Sequence, residues 1–117
     1  MTDITRIEPT HRLSRLVVHN CVAYMTGVTA QDGTLDIQGQ TRQVLEKIDG
    51  HLAKAGIDKT RMLSVQIWLK DIERDFAGMN EVWDAWVPKG AGPARATGES
   101  KLAHPDLLVE ILVTAAV

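Results

Sequence analysis

The period of the apolar positions changes several times along this chain, and each change marks an element. Residues 15–19 (Arg-Leu-Val-Val-His) and 22–28 (Val-Ala-Tyr-Met-Thr-Gly-Val) are rich in β-branched and aromatic residues. They flank His19-Asn20, so the segment reads as two strands joined by a hairpin turn. A further short strand is predicted over 4–7. Gln31-Asp32-Gly33-Thr34 is a second turn, since Asp-Gly tolerates positive φ. From about 37 to 56 the period lengthens: Val44, Leu45, Ile48, Leu52 and Ala55 recur at helical spacing, with Arg42, Glu46, Lys47 and Asp49 elsewhere. Gly56 is placed to cap that helix. Alternation returns over 61–69, where Leu63, Val65, Ile67 and Leu69 share one face and Ser64, Gln66 and Trp68 the other. Phe76, Met79, Val82, Trp83, Trp86 and Val87 mark a second helix, stopped by Pro88 and Gly90. A tight Gly/Pro loop at 89–93 leads into a strand over 94–100, which Gly98 weakens. Residues 107–116 form the clearest strand.

The predicted order is β-β-β-α-β-α-β-β, an α+β domain with a mixed sheet and two helices packed on one face. Leu108 and Leu112 alternate with Leu107, Val109, Ile111 and Val113, so the last strand is apolar on both sides. The helices cover one side. The other is expected to be covered by copies of the chain.

At 117 residues the chain is one domain, 1–117. Thirteen Lys and Arg against 15 Asp and Glu give a net charge of −2. That balance lacks a phosphate-neutralising excess, and no nucleic-acid partner is expected. With a single cysteine, Cys21, no internal disulfide can form; Cys21 reads as a small buried hydrophobe. Met1 to His11 carries Asp3, Arg6 and Glu8 and no apolar core, unlike a secretory leader. No stretch approaches the ~20 apolar residues that cross a bilayer. The expectation is a cytoplasmic protein without membrane contact.

Most catalytic signatures are missing. Gly90-Ala91-Gly92 lacks the preceding strand and following helix of a phosphate-cradling loop. Ser14, Ser64 and Ser100 lie outside any Gly-x-Ser-x-Gly elbow. His11, His19, His51 and His104 are scattered, with no i,i+4 pair, so no metal site is predicted. Two residues remain. Arg95 follows Gly92-Pro93-Ala94 and opens a strand, and Glu110 interrupts the most apolar stretch of the chain. A carboxylate there is costly to bury unless paired or hydrogen-bonded. Two readings stay open: an edge position or structural pair with Arg95, or a site where a guanidinium holds an anion and a carboxylate manages a water.

Four ordered segments resemble the YjgF-type family, also called the Rid (reactive intermediate deaminase) family. They are Tyr24-Met25-Thr26-Gly27, Asp75-Phe76-Ala77-Gly78-Met79-Asn80, Gly92-Pro93-Ala94-Arg95 and Leu108-Val109-Glu110-Ile111. The resemblance covers nearly the whole chain. Trp83-Asp84-Ala85-Trp86 and the Ala115-Ala116-Val117 end are most similar to a YoaB-like bacterial subgroup. The resemblance implies a chorismate-mutase-like α+β fold assembled as a homotrimer, with the sheets forming a central barrel and clefts between neighbouring subunits. It implies cofactor-independent hydrolysis of enamine and imine intermediates, of the 2-aminoacrylate/2-iminopropanoate type, to 2-oxo acids and ammonia. Arg95 would bind the substrate carboxylate, and Glu110 would position the attacking water. Thr26, Asn80, Thr97, Phe76 and Ser14 are carried as substrate-binding candidates.

Each candidate also has a plainer reading. Thr26 is an ordinary strand residue, Asn80 a polar position early in its helix, and Phe76 a core residue. Trp83 and Trp86 have the spacing of a buried helix face. The sequence also departs from the family pattern. The family's tyrosine before the second strand is replaced near Leu13-Ser14, its cysteine two residues past the arginine is Thr97, and the loop between Asn80 and Arg95 is slightly shorter. Alternative functions are a non-catalytic module binding small carboxylates or keto acids, and a ribonuclease or translation inhibitor. The acidic balance and the absence of a His pair argue against the last.

Overall fold

The computed structural model describes residues 3–117, so Met1 and Thr2 of the leader reading lie outside the described residues. In chain order the elements are β1 (Thr5–Pro9), β2 (Ser14–His19), β3 (Val22–Met25), β4 (Val28–Thr29), α1 (Ile37–Lys54), β5 (Met62–Leu69), α2 (Ile72–Trp86), β6 (Ala94–Glu99) and β7 (Val109–Ala116). A single 3-10 turn at Lys59–Arg61 precedes β5. The strands form one sheet in the order β1-β2-β3-β7-β5-β6, with β4 also paired to β7. Every pairing is antiparallel except β5–β6, and α2 supplies the crossover that this parallel pair needs.

The core lies on one side of the sheet. Val65, Ile67 and Leu69 of β5 and Val109, Ile111, Val113 and Ala115 of β7 turn toward Val44, Leu45, Ile48 and Leu52 of α1 and Met79 and Trp83 of α2, all buried. This is the expected mixed sheet with two helices on one face. Helix α1 starts where the Asp36 carboxylate accepts the Gly39 N–H at 2.9 Å, relieving one of its orphan donors. It ends at Gly56, whose φ of +75° allows Ile57 N–H to return to the Leu52 carbonyl at 3.1 Å. Helix α2 begins at Ile72, earlier than its first apolar marker Phe76. There the Asp71 carboxylate caps Arg74 N–H at 3.1 Å and Glu99 of β6 accepts Ile72 N–H at 3.0 Å.

Four expectations need correction. The hairpin turn is Asn20-Cys21, both at positive φ (+52° and +63°), with His19 paired to Val22; this is the primed turn geometry that suits strand twist. Cys21 is therefore an exposed turn residue and not a buried hydrophobe. The predicted strand 22–28 is broken at Thr26-Gly27. Tyr24 pairs with Thr114 and Val28 with Ile111, so this side carries one more residue than β7 across the break. Finally, a register irregularity between Met62 and Ser64 puts Leu63 on the solvent side at 49% exposure, while Met62 takes a buried place.

The second sheet face is uncovered in a single chain. Tyr24 (51% exposed) and Trp68 (36%) lie on it beside Gln66, Leu112 and Thr114. Trp68 stands opposite Gly98, where a Cβ would come within 3.1 Å of the indole. Glycine in β6 is thus the partner of a large neighbour.

Candidate functional site

The candidate residues fall into two groups on opposite faces of the sheet. Arg95 pairs with Val65 and Thr97 with Ile67, so both belong to the helix-side face. Arg95 reaches α2, where its Nη1 donates to Asn80 Oδ1 at 2.8 Å and its guanidinium carbon lies 5.3 Å from the Trp83 ring centroid. Asn80 and Trp83 are three apart on α2 and share a face. The helix that caps at Asp71 therefore aims both at the opening residue of β6. Burial is the main cause of a lowered Arg95 pKa, with Asp84 acting in the opposite direction; a guanidinium stays charged regardless. No ion pair occupies Arg95 among the described residues. Its planar fork keeps donors for a carboxylate.

Thr97, one strand period along β6, has a buried Oγ1 without a hydrogen-bond partner among the described residues. Phe76 lies one turn before Asn80 and is 42% exposed, so it is a rim residue and not part of the core. Its neighbour Asp75 is buried and held by Arg74, with Nε donating to Oδ1 at 3.0 Å and Nη2 to Oδ2 at 2.9 Å. Arg95, Asn80, Thr97 and Phe76 thus gather at the β6–α2 edge.

Glu110 belongs to the other face. It pairs with Trp68 on one side and Thr29 on the other. Its carboxylate lies against Gly27, where a Cβ would stand 3.0 Å from Cδ and nearer still to Oε2. The break between β3 and β4 therefore makes room for this carboxylate. Thr26 immediately precedes Gly27, and its N–H donates to the Arg15 carbonyl at 2.9 Å; Ser14 opens β2 beside Arg15. Glu110 thus lies at this bend, with Thr26 beside Gly27 and Ser14 one residue before the Arg15 carbonyl that holds Thr26. They are not brought together with Arg95, because β5 lies between β7 and β6 and the two side chains leave the sheet in opposite directions. An intrachain Arg95–Glu110 structural pair is thereby ruled out.

Sequence reading missed two contributors. Trp83 packs in the core as its spacing indicates, yet its ring is also the platform under Arg95. The i,i+3 relation to Asn80 was the available signal. Gln40, fully buried, binds two loops together: its Nε2 donates to the Leu35 and Asp106 carbonyls at 3.1 and 3.0 Å, and its Oε1 accepts Leu108 N–H at 2.9 Å. It fixes the entry to the strand that carries Glu110. Among the described residues no group of three or more His, Cys, Asp or Glu is placed to hold a metal ion, and no helix is long and apolar enough to cross a membrane.

Comparison with known proteins agrees with this architecture. A family model described as endoribonuclease L-PSP matches residues 3–117. The RutC family protein YoaB of Escherichia coli is 42% identical over 114 residues, covering 97% of this chain and 98% of its own. A YjgF-family protein from Neisseria meningitidis, NMB1025, superposes with a TM-score of 0.94 at 42% identity, over 97% of this chain and 94% of that one. A Rid-family protein from Yersinia pestis, YyfA, superposes with a TM-score of 0.86 at 26% identity over the full length of both. With two helices on a mixed sheet, four ordered motifs and matches along almost its entire length, the chain belongs to the endoribonuclease L-PSP family, whose members also carry the names YjgF and RutC.

Proposed function

We propose that this protein is a cytoplasmic, cofactor-independent hydrolase of small 2-imino acids and their enamine tautomers, releasing 2-oxo acids and ammonia. It works as a homotrimer whose open sheet faces line a central barrel and whose clefts lie between neighbouring subunits. The observation that carries this reading is the unpaired, half-buried Arg95 guanidinium, oriented by Asn80 and backed by Trp83. Such a group suits a planar carboxylate, which it can hold through two parallel hydrogen bonds.

The division of the candidate residues supports assembly. Arg95 and Glu110 leave opposite faces of one sheet, so a site using both takes them from different copies. The exposed Tyr24, Leu63 and Trp68 support contact through the open face. In the cleft, Arg95 holds the substrate carboxylate and fixes the C=N carbon in place. Glu110 accepts a proton from a water molecule as its oxygen bonds to that carbon. The imine nitrogen takes up a proton, giving a tetrahedral carbinolamine. The carbinolamine nitrogen then takes up a second proton, balanced by the one the hydroxyl gives up, and the C–N bond breaks as C=O forms, releasing neutral ammonia. Thr97 and Phe76 border the Arg95 side, and Thr26 and Ser14 the Glu110 side.

The family description suggests RNA cleavage as a second activity. Arg95 is a single cation beside Asp84, which is poor equipment for tracking a phosphate backbone. The test is a coupled assay in which 2-aminoacrylate or 2-iminopropanoate is generated in situ and its decay followed. The expected result is faster ammonia release with the wild-type protein and none of that acceleration with Arg95→Ala. An unchanged decay rate with wild-type protein, together with saturable 2-oxo acid binding, would leave the small-carboxylate binding module as the reading.

A further inference from the structure

A second cluster of charge lies apart from Arg95. A cavity of about 230 Å³ is enclosed by the β1–β2 hairpin, the Gly27–Thr29 segment and α1, and its charged lining consists of Glu8, Arg15, Lys47 and His51. Lys47 and His51 are four apart on α1 and therefore share a face. The only carboxylate in the lining is already engaged, since Glu8, bent toward α1 at a φ of +51°, pairs with Lys54. Lys47 Nζ donates to the Thr29 carbonyl at 2.8 Å and has no carboxylate partner among the described residues. His51 Nδ1 is buried and has no hydrogen-bond partner among them. The Arg15 side chain makes no hydrogen bond or ion pair among them either.

Three basic groups thus converge on one cavity, and its single carboxylate, Glu8, is drawn first to Lys54 and only then to His51 and Arg15. Burial, and then repulsion from Arg15, lowers the Lys47 pKa; His51 is lowered by burial, Lys54, Arg15 and Lys47, against a raising effect from Glu8. The two cations held together in this way, Arg15 and Lys47, are stabilised when an anion enters between them, and the anion favours protonation of His51 beside them.

We infer that the cavity formed by Arg15, Lys47 and His51 binds a small oxyanion, the phosphate or carboxylate group of a metabolite. A doubly charged phosphate answers the three basic groups more fully than a carboxylate. The cavity shares Gly27 with the bend that holds Glu110, but Arg15, Lys47 and His51 do not themselves handle the imine, so phosphate binding is read separately from imine decay.

The test is an NMR titration of the His51 ring resonances in the full-length protein with sodium phosphate, run against sodium acetate and sodium chloride at matched ionic strength. The expected result is a saturable shift with phosphate and a rise in the His51 pKa on binding. Lys47→Gln and Arg15→Gln should each weaken the affinity about tenfold. A stronger response to acetate than to phosphate would assign the site to carboxylates. A non-saturating response equal to that of chloride, or equal phosphate affinity in Arg15→Gln, would overturn the inference. Should Lys47→Gln fold poorly, Arg15→Gln decides alone.

Discussion

Replacing Gly27 by alanine separates the position of a carboxylate from its presence. The added Cβ would stand 3.0 Å from Glu110 Cδ, where ordinary contact begins near 3.4 Å, and it would press harder still on Oε2. The Glu110 side chain can yield, so the fold is retained at a cost of about 1–3 kcal/mol for overpacking. That corresponds to a melting temperature lower by roughly 4 °C per kcal/mol. The carboxylate must retreat by about 1 Å, and displacements of that size in a reacting group cost on the order of 100-fold in rate. Imine decay in the coupled assay should therefore show kcat reduced about 100-fold while circular dichroism reports a folded chain. If the effect runs through Glu110, Gly27→Ala combined with Glu110→Gln should be no slower than Glu110→Gln alone. Wild-type kcat in Gly27→Ala, or fully additive losses in the double variant, would refute the reasoning.

Other outcomes follow from the same geometry. Arg95→Lys keeps the charge and loses the planar fork, so KM for the imino acid should rise by about 10- to 100-fold with folding unaffected. Asn80→Ala removes the 2.8 Å bond that aims the guanidinium; at about 1–2 kcal/mol for a part-exposed charged hydrogen bond, kcat/KM should fall roughly 5- to 30-fold. Gln40→Leu strands the Leu108 N–H and the Asp106 carbonyl and should lower stability by about 2–4 kcal/mol in urea denaturation. For pH, the folded-state pKa of His51 lies below its usual 6.5. The unfolded chain therefore binds more protons between those two values, so stability is complete above about pH 6.5 and declines as pH falls through that window. His51→Gln should flatten that slope in thermal melts recorded from pH 7.5 downward.

Much of the layer structure was legible because burial on one face imposes a period. The alternation at Val65, Ile67 and Leu69 and the helical recurrence from Val44 to Leu52 survive into the core unchanged. What escaped prediction depends on contacts distant in sequence. Leu63 matched the apolar face by count, yet a local slip against β7 turned it outward. The strand 22–28 read as continuous because nothing near Gly27 shows that a carboxylate 83 positions later needs its space. Cys21 looked apolar by type, while the two-residue turn required it to take a positive φ in solvent. The Arg95–Asn80 association was legible as two motif positions, but the role of Trp83 under the guanidinium needed α2 packed beside β6. The sequence likewise paired Arg95 with Glu110 as a chemical unit without revealing that β5 stands between them.

That separation can be tested by mixing two inactive variants. Arg95→Ala and Glu110→Gln, unfolded together in equal amounts and refolded, should regain about one quarter of wild-type imine hydrolysis if each cleft takes its guanidinium from one copy and its carboxylate from the next. No recovery of activity in mixed assemblies whose formation is verified by mass would contradict a site shared between copies.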